Sequence, residues 1–302
     1  MARTPKSSGS NHQFGGDWTA QKLQVLSGYL SAYTKVLKNQ AFRTAYIDAF
    51  AGSGTIDAHR DGEPPTPQSL LFPELVAREP KKLLDGSARI ALQTSPRFDK
   101  YIFIERRPDR CAELEQLKSE FPGLAPDIDV RPGEANEQIQ ALCAKKRWDG
   151  RRAVLFLDPY GMQVEWQTIE AVARTKAIDL WILFPLGIGV NRLLTKSGDI
   201  PPSWRRRLDL LLGTTDWYDE FYEVETTPTL FGETERLVKA TMDTIGRYFN
   251  NRLREIFACV AERPGVLRNA SSPLYLLCFA VGNEKACKPA LRIAEHLLKG
   301  VR

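Results

Sequence analysis

At 302 residues, with 43% hydrophobic and 26% charged side chains, the chain has the composition of a globular protein large enough to bury a full core. Forty-two Lys and Arg against 37 Asp and Glu give a formal charge of +5, which permits a nucleic-acid partner without requiring one. The longest apolar stretch, 180–190, is broken by Pro185 and two glycines and falls short of the roughly 20 residues of a membrane helix, so a membrane span is excluded.

Residues 1–16 are polar, small and basic, lack the apolar run of a signal peptide, and read as a disordered tail before one α/β domain over 17–302. The five cysteines, Cys111, Cys143, Cys259, Cys278 and Cys287, form no CxxC pair and have no histidine at a ligand spacing. They read as reduced, mostly buried thiols, which points to a cytoplasmic protein without a zinc or iron–sulfur site.

The first helix is expected over 17–38, where Leu23, Leu26, Leu30, Tyr33 and Leu37 recur at helical spacing behind a possible Asp17 cap. The stretch FRTAYIDAFAGSG (42–54) follows: Ala45, Tyr46 and Ile47 supply a buried strand and Asp48 its carboxyl end. Phe50, Ala51, Gly52 and Gly54 form a turn whose glycines let the backbone approach a ligand. Charges and three prolines over 55–67 suit a lid or rim, ahead of a short helix over 68–78.

A second strand, YIFIE (101–105), ends on Glu105, and a carboxylate there can accept from both hydroxyls of a ribose. Pro108 opens the next helix, with Cys111, Leu114, Leu117 and Phe121 on one face. The third strand, 128–131, leads to Glu134 and Asn136, either of which can touch a base, although Asn136 also suits a helix cap. Residues 151–157 and 178–184 are nearly continuous apolar runs, as expected of central strands covered on both faces. The fourth strand delivers Asp158, Pro159, Tyr160 and Gly161 at its tip, so a carboxylate, a fixed proline and an aromatic face reach one sheet edge together. In an open parallel sheet that edge is where ligands sit.

Between about 186 and 232 the pattern loosens into an insertion, with Trp204, three consecutive arginines (205–207), and then Trp217, Tyr218, Phe221 and Tyr222. Such a segment can track phosphates and stack bases, pack its aromatics on the domain, or dock a protein. A helix is expected over 233–250, strands over 254–261 and 274–281, and a closing helix over 284–299. With the last strand inserted antiparallel, the alternation gives a doubly wound Rossmann-like α/β sheet of about seven strands.

In this order DAFAGSG (48–54), Glu105, GEAN (133–136) and DPYG (158–161) resemble motifs I to IV of class I S-adenosylmethionine-dependent methyltransferases. Taken with DGEPPTPQSLL, FIERRPDR and PLYLLCFAV, they resemble the TcmP family, the three-Cys-motif partner proteins, over roughly residues 18–298. The resemblance implies S-adenosylmethionine as cofactor. Asp48, Phe50, Ala51, Gly52 and Gly54 would line its methionine and ribose, Glu105 would hold the ribose hydroxyls, and Glu134 and Asn136 would flank the adenine. Asp158, Pro159 and Tyr160 match the place where amino methyltransferases keep (D/N)PP(Y/F), whose acid or amide accepts from an exocyclic amine while the aromatic ring stacks on the base. One proline stands here where adenine-modifying enzymes have two.

The expected activity is therefore methyl transfer to an exocyclic amine of a DNA or RNA base. The family name implies, as the alternative, a non-catalytic or partner-dependent protein that binds a radical-SAM-like three-Cys-motif protein or nucleic acid. A nicotinamide oxidoreductase is disfavoured because only half of the G-x-G-x-x-G fingerprint is present, with Asp57 where its last glycine belongs. A magnesium nuclease would need Asp48, Asp158 and Glu165 to converge.

Overall fold

A computed structural model describes residues 17–51, 86–145, 147–159, 161–229, 232–269 and 272–301. Gly52, Gly54, Tyr160, the tail, the whole segment expected to form a lid and the short helix expected after it lie outside the described residues.

The centre is a sheet with strand order β3-β2-β1-β4-β5-β10-β8, in which β9 also pairs with β10. Strands β1 (Arg43–Ala49), β2 (Lys100–Glu105), β3 (Ile128–Pro132), β4 (Arg151–Leu157) and β5 (Ile178–Phe184) are mutually parallel. The last strand, β10 (Pro273–Val281), enters antiparallel beside β5. This is the doubly wound Rossmann-like order expected from the sequence, with the final strand reversed.

The strand expected over 254–261 is displaced and divided. Helix α8 (Met242–Ile256) runs through its first residues, and the chain then pairs with β10 in two pieces, β8 (Cys259–Val260) and β9 (Gly265–Arg268). Pro264, which has no N–H to give to a ladder, stands in the gap.

Alternation along each strand sends residues to two helical layers. Tyr46, Phe103, Phe156 and Phe279 pack under α1 (Asp17–Leu37), α2 (Gly86–Gln93), α3 (Pro108–Glu120) and α9 (Cys287–Leu298). Ile47, Ile104, Leu155 and Phe184 face α4 (Ala135–Lys145), α5 (Trp166–Arg174) and α8. Tyr46 and Asp48 therefore share the α1 face. By the same two-residue period Glu105, beyond Phe103, and Asp158, beyond Phe156, belong to that face as well.

After β5 the chain makes a tight helical segment over 186–193, then α6 (Pro202–Leu212), α7 (Trp217–Phe221) and a separate hairpin, β6 (Tyr222–Thr229) with β7 (Gly232–Lys239). The helix expected from 233 is thus a strand up to Lys239, because Glu233 to Lys239 pair in register with Pro228 to Tyr222. Lys239 roots the hairpin by donating to the carbonyls of Asn191 and Leu194 at 2.9 and 3.0 Å. Trp217 and Phe221 are fully buried, so the insertion packs these aromatics on the domain.

Cys259 and Cys287 form a disulfide, with Cα atoms 5.9 Å apart, that joins β8 to the start of α9. This corrects the expectation of five reduced thiols; Cys111, Cys143 and Cys278 remain free. The pairing arises only when the split strand returns beside the closing helix, so no local spacing announces it. It also removes the support that reduced cysteines lent to a cytoplasmic location. Among the described residues no helix is long and apolar enough to cross a membrane.

Candidate functional site

Two aspartates meet at the carboxyl edge of the sheet. Asp48 pairs with Phe156 across β1 and β4, which places Asp158 two residues beyond it on the same face. Asp48 is 1% exposed and accepts from the Tyr46 hydroxyl at 2.9 Å. Burial pushes its carboxyl up to about 7, against the pull of hydrogen bonds from Ser87 and Tyr46; Asp158 adds to the rise and Lys22 opposes it.

Lys22 comes from α1 and forms an ion pair with Oδ2 of Asp158. Its side chain is 5% exposed against 28% for the aspartate. Trp18, one turn earlier, lies with its ring centroid 4.9 Å from the ammonium and stacks on Tyr275 of β10 at 5.2 Å. Helix α1, the tip of β4 and the start of β10 therefore converge on one cation. Oδ1 of Asp158 has no hydrogen-bond partner among the described residues. In the same turns of α1, Thr19 Oγ1 and Gln21 Oε1 are buried without hydrogen-bond partners among the described residues.

The sequence reading missed Lys22. Its signal was present: Lys22 lies at helical spacing with Trp18, Val25, Leu26 and Tyr29, so a charge occupies a core-facing position.

The chain leaves β1 abruptly. Phe50 takes a φ of 73°, and Phe50 N and Ala51 N both donate to Ile104 O at 3.2 Å. A bulky residue in this region costs about 1–3 kcal/mol, strain of the kind that collects at ligand turns. Register puts Phe50 between Asp158 on one side and Glu105 on the other. Glu105 is 5% exposed, and its Oε1 accepts from Arg107 N at 2.8 Å.

Glu134 and Asn136 have structural work. Glu134 caps α4, accepting from Glu137 N through Oε2 and from Asn136 Nδ2 through Oε1, both at 2.9 Å. Asn136 also donates to Gln163 O at 2.9 Å, while its Oδ1 accepts from Glu165 N at 3.0 Å and Thr168 Oγ1 at 2.9 Å. It thereby ties α4 to the loop that follows Asp158. Pro159 is buried at the end of β4, and Gly161 takes a φ of 65°, a conformation that favours glycine. Glu165 lies on the α4 side, away from the α1 face, and among the described residues no three acidic, histidine or cysteine side chains group as metal ligands.

A groove of about 560 Å³ lies elsewhere, between α4 and α5, lined by Gln140, Cys143, Trp148 and Arg174 among others. It opens at the amino edge of the sheet and holds none of the residues above.

No known family model matches the chain, and no curated protein matches it. Among solved structures it is similar to a Legionella pneumophila protein of the DUF519 family, at 13% identity over 95% of this chain and 93% of that one, with a TM-score of 0.46. Spermidine synthase from Thermotoga maritima matches at 10% identity over 88% of this chain and 60% of its own, with a TM-score of 0.40. An S-adenosylmethionine-dependent methyltransferase from Clostridium acetobutylicum matches at 11% identity over 86% and 92%, with a TM-score of 0.37. At such values the fold assignment rests on the strand order itself.

Proposed function

We propose that this chain is an S-adenosylmethionine-dependent methyltransferase acting on an exocyclic amine of a nucleic acid base. The observation that carries the reading is Asp158, which has one carboxylate oxygen held by Lys22, the other open, and Asp48 beside it on the adjacent strand tip.

The residues present fit the cofactor. Asp48 and Glu105, on one face of one edge, suit a ligand that offers an ammonium and ribose hydroxyls, all of them hydrogen-bond donors. S-adenosylmethionine, when bound, supplies an electrophilic methyl group. Phe50 and Ala51 lift the chain off the sheet where that ligand would lie.

Lys22 fixes the plane of the Asp158 carboxylate by holding Oδ2. Oδ1 then accepts one N–H of the acceptor amine and directs the nitrogen lone pair away from the carboxylate. An amine that gains a carbon must shed a proton, and Asp158 is the base placed to take it.

The same motif order supports kinship with the three-Cys-motif partner proteins. The test is transfer of a labelled methyl group to DNA and RNA by the full chain, with Asp158→Ala expected to lower it by about 10²-fold or more. Cofactor binding without transfer to any acceptor, or an Asp158→Ala variant as active as the parent, would overturn the reading.

A further inference from the structure

We infer that the basic shoulder of the insertion, built around Lys196, Arg205 and Arg206, seats the sugar–phosphate backbone of the acceptor strand without reading its bases. This rests on the proposed methyl transfer to nucleic acid and adds where and how the strand is held.

Position is the first support. The insertion leaves the tip of β5, and a Cβ on Gly189 would lie 3.1 Å from Met162 in the loop that follows Asp158. The root of the insertion therefore abuts the loop carrying the proposed acceptor residue, and the shoulder begins a few residues later.

Charge is the second. Residues 192–207 carry five Lys and Arg and a single acid, Asp199. Lys196, Arg205 and Arg206 are exposed, and none forms an ion pair among the described residues. The guanidinium of Arg205 instead lies over the rings of Tyr218 and Trp217, at 4.8 and 5.8 Å. Tyr218 of α7 in turn donates to Gly198 O at 3.0 Å, so the ring under the α6 guanidinium is tied to the turn that holds Lys196. Lys196 and Arg205 are thus linked through Tyr218, Arg206 is exposed at the next position of α6, and Lys196 is close enough to Lys239 for its charge to help depress that ammonium, after burial.

The third support concerns what is missing from the surface. Binding of single strands through their bases needs exposed rings, but Trp217 and Phe221 are fully buried, Tyr222 is 6% exposed, and the half-buried Trp204 and Tyr218 pack against the core, Tyr218 under the Arg205 guanidinium. A protein interface of the usual kind needs an apolar centre, and among the described residues the large hydrophobics exposed on the insertion are two separate side chains, Leu210 and Val224. Cations without ion-pair partners, beside rings that are buried or packed against the core, are the equipment for phosphates. Beyond the shoulder, the hairpin presents Glu223, Glu225, Glu233 and Glu235 against Arg236, which repels phosphate and bounds the footprint.

Fluorescence anisotropy of labelled 20-nucleotide single strands, RNA and DNA in separate arms and of several sequences, tests this with the full chain and a Lys196→Glu/Arg206→Glu variant. Affinity is expected to fall about tenfold or more, by the same factor for every sequence, and the slope of log K against log salt to flatten by about 0.7 per lost contact. A Glu225→Lys/Glu233→Lys variant should bind as tightly as the parent or tighter. Unchanged affinity in the first variant, or a loss confined to one sequence, overturns the inference. So does sedimentation showing that the substitutions split a dimer while nucleic-acid affinity stays constant, since the hairpin of a second copy would then be the occupant. Binding is read without catalysis, so salt-dependent binding with no methyl transferred would sink the proposed activity and leave the backbone site standing. An unchanged cofactor-induced rise in melting temperature shows that the variant is folded.

Discussion

Two aspartates in this fold have nearly the same immediate surroundings and opposite settings. Asp48 ends β1 and accepts from the Tyr46 hydroxyl at 2.9 Å; Asp179 begins β5 and accepts from the Tyr29 hydroxyl at 2.8 Å. Both are buried on the α1 side, and burial pushes the first up to about 7 and the second to about 6. Asp179, however, is closed off by Gly282 N at 3.4 Å and by the Tyr29, Trp181 and Phe279 rings, with no second carboxylate beside it. Asp48 has Asp158 and Lys22 as neighbours and a strained turn immediately after it. A raised carboxyl therefore does not mark a site by itself. The company it keeps at an open sheet edge does.

The largest effect should separate the pair directly. At a cofactor concentration a hundredfold above Kd the wild-type chain gains about 2.7 kcal/mol of stability. Asp48→Asn should abolish that gain in a thermal-shift titration, and Asp179→Asn should keep it while lowering the melting temperature of the free protein. Equal cofactor responses in the two variants would erase the distinction.

Next in size is the lysine that only one aspartate has nearby. Lys22→Met should reduce methyl transfer by about 10- to 100-fold, that is about 1.4–2.7 kcal/mol, with little change in the cofactor response. It should also shift the pH profile of the rate, and Lys22→Arg should restore part of the activity. A merely structural lysine would lower the melting temperature and leave the pH profile where it was.

The smallest effect is in the pH dependence of stability. A carboxyl raised on folding is protonated in the native state while already ionised in the unfolded chain, so the unfolded state binds fewer protons between about pH 4 and 7. Stability conferred by the protonated form is then lost as pH rises through that window. Asp48→Asn removes the term, so its melting temperature relative to wild type should climb from pH 4 to 7 and then level off, a change on the order of a few degrees. A difference that is flat across the window would mean that Asp48 is already ionised in the native protein.

Asp48 and Asp158 were legible in the sequence because each is the first acid after an apolar run, and a strand in a parallel sheet displays such a residue at its carboxyl tip. The central place of the last strand was legible for a related reason, since PLYLLCFAV is apolar throughout and needs cover on both faces, whereas its antiparallel direction was expected only from the likeness to a methyltransferase sheet. Lys22 was missed although its place on the apolar face of α1 marked it, because the partner that explains the charge is 136 residues away. The hairpin was misread because Leu237 and Val238 fit the periodicity of the helix that follows, and only pairing with Val224 and Glu223 decides otherwise. The roles of Glu134 and Asn136 came from bonds to backbone groups that are distant in sequence or depend on local chain geometry, which composition does not encode.

Asn136 has a consequence for how this crevice can change over time. Its bonds to Gln163, Glu165 and Thr168 splice the turn after β3 to the segment following Asp158, so the two walls share one hinge point. A substitution that shifts the turn after β3 drags the segment after Asp158 with it. Selection for a new target must then leave this splice alone and work through the parts it does not bind, the insertion and the helix in front of β1.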